Sequence, residues 1–249
     1  SHNNMLSINP KEIEVPKLHH YLLGAVGPRP IAFASTVDEN GNRNLSPFSF
    51  FNVFSANPPI MVFSPARSGR TGATKNTFDN VKATKEVVIN IVNYNIVQQM
   101  SLSSSPYDAK IDEFEKSGLT PIPSETVKPA RVKESPVQFE CKVNEVIELG
   151  QNGGAGNLVI CEVLKIHINE NVLDEKGMID QHKIDLVSPN RNIVPVTTAI
   201  DSNEKLSIGG CPIEGLVKKY DSPLYILDEM TLRNSCRAYK KALEKYYPG

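Results

Sequence analysis

The chain has 249 residues, 40% of them hydrophobic and 22% charged, enough apolar material for one large domain or two small ones and too much for disorder to be the default. Its 27 basic side chains stand against 28 acidic ones, a formal charge of −1, so no basic excess exists to hold nucleic acid or an anionic membrane. No run approaches the ~18 apolar residues of a transmembrane helix, and Ser1–Asn4 before Met5 lack a signal-peptide layout.

In chain order, the first clear element is a hairpin. From Pro30 to Val37 the residues favour a strand, with Ile31, Phe33, Ser35 and Val37 on one face and Ala32, Ala34 and Thr36 on the other. The Asp38–Asn42 segment contains Asn40-Gly41, a strong turn signal. A return strand is expected from about Arg43 to Phe54, then a short one from Ile60 to Phe63. The polar, basic stretch Ser64 to Lys75 leads into an expected helix over Asn76–Thr84, capped by Thr74 or Asn76, with Phe78 and Val81 as its apolar side.

Val87 to Val92 is an apolar run interrupted only by Asn90, as in a strand buried on both faces. A short helix over Asn95–Leu102 follows. From Ser103 to Pro136, five prolines punctuate a long excursion with one helical piece near Ile111–Lys116, the length and composition of a functional cover. Long strands resume at Val137–Leu149 and Leu158–Ile168. Repeated β runs at hairpin spacing point to an antiparallel barrel. Near Ser188 the character changes to linker and then β-then-α. Helices are expected over Pro212–Tyr220 and Leu232–Tyr246, around a strand at Pro223–Leu227.

The cysteines (Cys141, Cys161, Cys211, Cys236) are far apart and read as free thiols of a reducing cytoplasm. Glycines between residues 150 and 157 lie between two strands with no Gly-Lys-Ser/Thr after them, so they read as a hairpin tip and not a phosphate loop. The five histidines have no metal-ligand spacing, and no nucleophile elbow or triad signature occurs; no catalytic side chain and no metal are expected.

Two stretches carry chemistry. Ser46-Pro47-Phe48-Ser49-Phe50-Phe51-Asn52 places small polar groups among aromatics, as either barrel filling or the wall of a slot for a planar, hydrogen-bonding ring. Arg67, Ser68, Arg70, Thr71, Lys75, Asn76 and Thr77 lie at a helix start, as either a solvated basic loop or a phosphate cradle. Together they match a mononucleotide such as FMN.

The same residues resemble the flavin reductase-like proteins with an FMN-binding split barrel. The resemblance covers about residues 5–187. It is carried by Gly27-Pro28-Arg29-Pro30-Ile31-Ala32, Ser35-Thr36-Val37, Asn44 through Asn52, Asn57-Pro58-Pro59, Lys75-Asn76-Thr77 with Asn80, and Val87-Val88-Ile89-Asn90. It implies a mainly β fold, a six-stranded antiparallel Greek-key split barrel with peripheral helices, working as a cytoplasmic homodimer. It also implies bound FMN, contacted by Arg29, Ser35, Thr36, Ser46 through Asn52 and Asn76, with the phosphate on Arg67, Arg70, Lys75 and Thr77. Backbone N–H groups of Ser49 to Asn52 would face the flavin's N1–C2=O edge.

The implied reaction is hydride transfer from NAD(P)H to N5 of FMN, with a monooxygenase component as a taker of reduced flavin. An FMN-binding electron carrier without NAD(P)H activity is the alternative. Where the family commonly has Lys-Asp-Thr, this chain has Lys75-Asn76-Thr77. The family's later Arg-x-Gly-Gly-x-x-Tyr segment is replaced by Pro189-Asn190-Arg191. Residues 188–249 instead resemble the amino-terminal portion of PLP-dependent diaminopimelate decarboxylases, through Ser222-Pro223-Leu224-Tyr225-Ile226-Leu227-Asp228-Glu229 and the Leu232-Arg233 helix. That tail is expected to be a linker and fragment without its own complete core, and to lack the Schiff-base lysine of those enzymes.

Overall fold

The computed structural model describes residues 5–104, 112–187, 199–200, 206–208 and 211–212. Contacts divide the chain into two units, 1–191 and 192–249.

The first unit opens with helix α1 (Val15–Ala25), which the sequence reading did not anticipate. Pro16 suits its first turn, where no N–H is needed, yet none of its residues is buried. Strands β1 (Ala32–Val37) and β2 (Arg43–Phe48) form the expected hairpin, in register from Ala32↔Phe48 to Val37↔Arg43. Its loop is tied by Asp38, whose carboxylate accepts from the N–H groups of Asn40 and Asn42, both at 2.8 Å, and from the Asn42 amide at 2.7 Å. Gly41 takes the left-handed φ of +86° that closes the loop, a conformation costly for other residues.

The single return strand expected to Phe54 breaks at Ser49-Phe50. Strand β3 (Phe51–Ala56) is separate and pairs with β4 (Pro59–Phe63). Helix α2 (Asn76–Thr84) has the expected bounds, but Lys75 occupies its cap position with no side-chain bond to the helix. Thr74 Oγ1 instead donates to Asp79 at 2.9 Å. Then come β5 (Glu86–Asn90), a 3₁₀ turn at Tyr94–Ile96, α3 (Val97–Ser103), α4 (Glu113–Ser117), and the two-residue strands β6 (Pro121–Ile122) and β7 (Arg131–Val132). The long strands β8 (Val137–Glu148) and β9 (Asn157–Ile168) precede a one-turn α5 (Gln181–Ile184).

Seven strands form one antiparallel sheet in the order β2-β1-β5-β8-β9-β4-β3, one more than expected because the return strand splits. β2 and β3 lie at opposite edges, yet only Ser49 and Phe50 separate them. Three peptide steps span at most about 11 Å. The sheet therefore curls until its edges converge at that corner, and it stays unpaired between them: a split barrel. Pro47 is tolerated because β2 is an edge strand.

Inside the barrel Ala32, Ala34, Phe48, Phe63, Val87, Ile89, Cys141 and Cys161 form one core, closed by Val81 of α2. Phe48 and Phe63 pack with ring centroids 5.5 Å apart. The opposite face of β1 carries Ile31 and Phe33 into a second core with Leu45, Val92, Met100 and Phe114, which seats α3 and α4. β5 is thus covered on both faces, as its apolar Val87-Val88-Ile89 core predicts. Burying a large apolar side chain contributes about 2–3 kcal/mol, so alternation along β1 places both layers at once.

The second unit is described only in its three-stranded antiparallel sheet: β10 (Ala199–Ile200), β11 (Leu206–Ile208) and β12 (Cys211–Pro212). Pro212, expected to start a helix, pairs with Ser207 in a strand instead; the ring fixes φ near the extended range as readily as near the helical one. The helices and strand expected over residues 213–246, and Cys236, lie outside the described residues.

Candidate functional site

A cavity of about 250 Å³ opens at the corner where the barrel edges meet. It is lined by His19 and Leu23 of α1, Pro47, Phe48, Ser49 and Phe50 of the corner, then Ser64, Ala66 and Lys75. Ligand pockets usually measure about 300–1,000 Å³, so this one takes part of a flat ring system, and it is open to one side. Its walls are apolar, with a hydroxyl at Ser49, another at Ser64, an imidazole and an ammonium.

The corner is fixed from two directions. Ser64 N–H donates to the Phe50 carbonyl at 2.9 Å, tying the corner to the end of β4. Arg29, only 8% exposed, donates from Nε to Ser49 Oγ at 3.3 Å. From Nη1 it donates to the carbonyls of Leu23 (2.8 Å) and Val26 (2.7 Å) at the carboxy-terminal end of α1. Arg29 therefore holds the helix that roofs the cavity. His19 packs its ring 6.2 Å from that of Phe50.

The expected ligand residues fall into three groups. Pro47, Phe48, Ser49, Phe50 and Lys75 line the cavity. Ser46 and Phe51 are half-buried in strands beside it, Phe51 against the barrel core, Asn76 is half-buried at the start of α2, and Asn52 is exposed and accepts from Val53 N–H at 2.8 Å. Ser35, Thr36 and Thr77 are enclosed in protein. The Thr36 hydroxyl accepts from Asn80 at 3.0 Å and that of Thr77 from Asn44 at 2.8 Å, so both serve as anchors between α2 and the hairpin. Ser35 Oγ is buried with no hydrogen-bond partner among the described residues.

The basic loop divides similarly. Arg67 Nη1 donates to the Gly72 carbonyl (3.2 Å), and Nη2 donates to Glu148 (2.9 Å) and Gln151 (3.1 Å). Arg67 is thus paired and not held open for a ligand, while its Nε remains a buried donor with no partner. Arg70 and Lys75 are exposed and form no ion pair among the described residues. The first N–H groups of α2 begin beside Lys75, with unmet donors and the positive end of the helix dipole.

His19, Leu23, Ser64 and Ala66 are not among the expected ligand residues. The signal for the first two was Pro16 ahead of Leu18, Leu22 and Leu23 at helical spacing; nothing local marked the last two. Among the described residues no cluster of metal-binding side chains occurs, and no helix is long and apolar enough to cross a membrane.

Part of the excursion is fastened to the barrel. Glu140, fully buried on β8, accepts from Glu125 N–H (2.9 Å) and Thr126 N–H (2.6 Å), and the Thr126 hydroxyl, His167 Nε2 (2.7 Å) and Arg131 Nε (3.7 Å) also face it. Burial alone would raise its pKa; the Thr126 hydroxyl, the two amides and His167 outweigh that and bring it to about 2. This carboxylate fastens the segment between β6 and β7 to the barrel. Residues 105–111 lie outside those described.

Residues 25–188 match the flavin reductase like domain, and the chain belongs to that family. An uncharacterised protein of Aquifex aeolicus is 37% identical over 174 residues, 70% of this chain and 86% of that one. Nitrilotriacetate monooxygenase component B from Bacillus cereus is 31% identical, with 76% and 95% of the two chains covered and a TM-score of 0.69. A split barrel domain protein of Shewanella frigidimarina is 30% identical, covering 76% and 93%, with a TM-score of 0.63. A 62-residue stretch, 25% of the chain, is 48% identical to diaminopimelate decarboxylase of Synechocystis, of which it spans 13%. The fold and family define a flavoprotein oxidoreductase of the flavin reductase type.

Proposed function

We propose that the chain binds FMN at the β2–β3 corner and reduces it with NAD(P)H. The carrying observation is one cavity with a ring-type wall from Pro47 to Phe50 that also reaches Lys75, the cap residue of α2. An isoalloxazine fits the chemistry of that wall, and a phosphate fits Lys75 and Arg70, which are exposed and form no ion pair among the described residues. FMN supplies the redox chemistry, accepting a hydride from the nicotinamide. The protein's part is to orient and to exclude water. Pro47 and Phe48 would give the ring an apolar seat, backbone N–H groups of Ser49 to Asn52 would hold its polar edge, and His19 and Leu23 would cover it from α1. No side-chain acid or base is required.

The apolar surface supports a homodimer under the same proposal. Val53 and Phe54 are 61% and 68% exposed on the edge strand β3, and Leu164, Ile166 and Ile168 stand out along one face of β9. Water-exposed apolar side chains so placed suit an association surface. A cytoplasmic setting, a monooxygenase component as acceptor of reduced flavin, and a boundary near residue 188 with the tail as an accessory fragment complete the reading. The test is anaerobic mixing of the FMN-loaded protein with NADH or NADPH. Bleaching near 450 nm is expected, on the order of 1 s⁻¹ or faster; a protein that holds FMN and does not bleach is an electron carrier.

A further inference from the structure

We propose that the glycine-rich hairpin tip between β8 and β9, together with Glu148, is a brace that sets the position of the anion loop 64–75. Gly153 and Glu148 are then positioning residues for the phosphate end of the ligand. This rests on the FMN reading above.

The tip and the loop are bonded in both directions. Arg67 N–H donates to the Ala155 carbonyl at 2.8 Å, and Gly154 N–H donates back to the Arg67 carbonyl at 3.1 Å. At the base, Asn157 donates from its N–H to Ser64 Oγ (3.0 Å) and from its amide to the Pro65 carbonyl (2.8 Å). Ser64 is itself a cavity wall. The approach is too close for a side chain: a Cβ on Gly153 would sit 2.9 Å from the carbonyl oxygens of Ser68 and Gly69. One on Gly156 would sit 2.9 Å from Ser64 Oγ. The glycines are there for backbone-to-backbone contact, the property that makes such a segment look like a phosphate loop in sequence.

Glu148 adds the electrostatic half. One carboxylate oxygen lies 2.9 Å from Arg67 on the loop and the other 3.3 Å from Lys82 on α2. A single carboxylate thus spans the two elements whose junction carries Lys75, and fixes the distance between the loop and the helix start. A shift of the loop from Arg67 onward would move Arg70 and Lys75 relative to the α2 amides and would leave the ring wall in place, since Ser64 N–H and Arg29 hold that wall at the barrel corner.

The experiment measures dissociation constants of FMN and riboflavin, by flavin fluorescence quenching, for the full chain and for Gly153→Ala and Glu148→Gln, with melting temperatures alongside. Loss of well-placed charged hydrogen bonds predicts an FMN affinity lowered about tenfold in either variant, with riboflavin changed about twofold at most. Glu148→Gln keeps the shape and supplies the answer if Gly153→Ala does not fold. Equal effects on both flavins, or on neither, overturn the brace while leaving the flavin site standing. A parent protein that binds FMN no better than riboflavin overturns the phosphate reading itself, and the brace with it.

Discussion

Arg29 Nε lies 3.3 Å from Ser49 Oγ, while Nη1 of the same guanidinium takes up two carbonyls at the end of α1. One buried side chain thereby couples the corner of the barrel to the helix that roofs it. Arg29→Met should release α1, since no residue of that helix is buried. Flavin affinity is expected to fall about tenfold through lost charged hydrogen bonds, with a small change in melting temperature. Flavin titration and hydrogen exchange over residues 15–25 check this; unchanged exchange would contradict it.

Lys75 is exposed at the cap of α2 and borders the cavity. Lys75→Ala should weaken FMN more than riboflavin, by about tenfold, because only FMN carries a phosphate. Equal weakening of both would show that Lys75 does not meet the phosphate.

Glu113, 4% exposed, accepts from Leu45 N–H at 3.2 Å. Burial, helped by the neighbouring Asp112 charge, raises its pKa to about 6 against opposing hydrogen bonds. With the folded value above the unfolded 4.5, its contribution to stability is complete below pH 4.5 and is lost as pH rises through 6. Glu113→Gln keeps an acceptor for Leu45 and removes the charge. It should therefore stabilise the protein by about 2 kcal/mol at pH 7.5, with no gain at pH 4. Urea unfolding at the two pH values measures the difference.

For Glu140 the sign is opposite. Its folded pKa of about 2 lies below the unfolded 4.5, so its contribution is present above pH 4.5 and is lost as pH falls through 2. Glu140→Gln should cost on the order of 3 kcal/mol at pH 7, and the gap to the parent should narrow steadily between pH 4.5 and 2. Thermal melts across that range would show a constant gap if the carboxylate were not charged in the fold.

Phe54 is 68% exposed on β3. If β3 lies at a dimer contact, Phe54→Asp should halve the mass measured by light scattering, because an unpaired charge cannot be buried there at acceptable cost. A monomeric parent protein would remove the dimer from the account.

Much of the barrel was legible locally. The alternation from Ile31 to Val37 assigns Phe33 and Ala34 to the two cores that they occupy, and α2 runs over the expected residues. The glycine segment is the hairpin tip that its flanking strands implied. The break at Ser49-Phe50 was not legible. Strand propensity runs straight through Phe50 to Phe54, and what divides it is pairing of the second half with β4. α1 was passed over because its face meets no core.

The chain's own residue order determined which side chains point inward, where the turns fall, and that an aromatic wall precedes a basic loop; these follow from periodicity and backbone preference within a dozen residues. The tertiary structure decided which polar groups stay available. Arg67 and Lys75 look alike in sequence, yet Arg67 meets Glu148, 81 residues away, and Lys75 meets no carboxylate among the described residues. Thr77 likewise spends its hydroxyl on Asn44, 33 residues back. Availability of a charge or hydroxyl depends on what the fold brings within about 3 Å of it, and that distance is set by strand order and not by spacing along the chain.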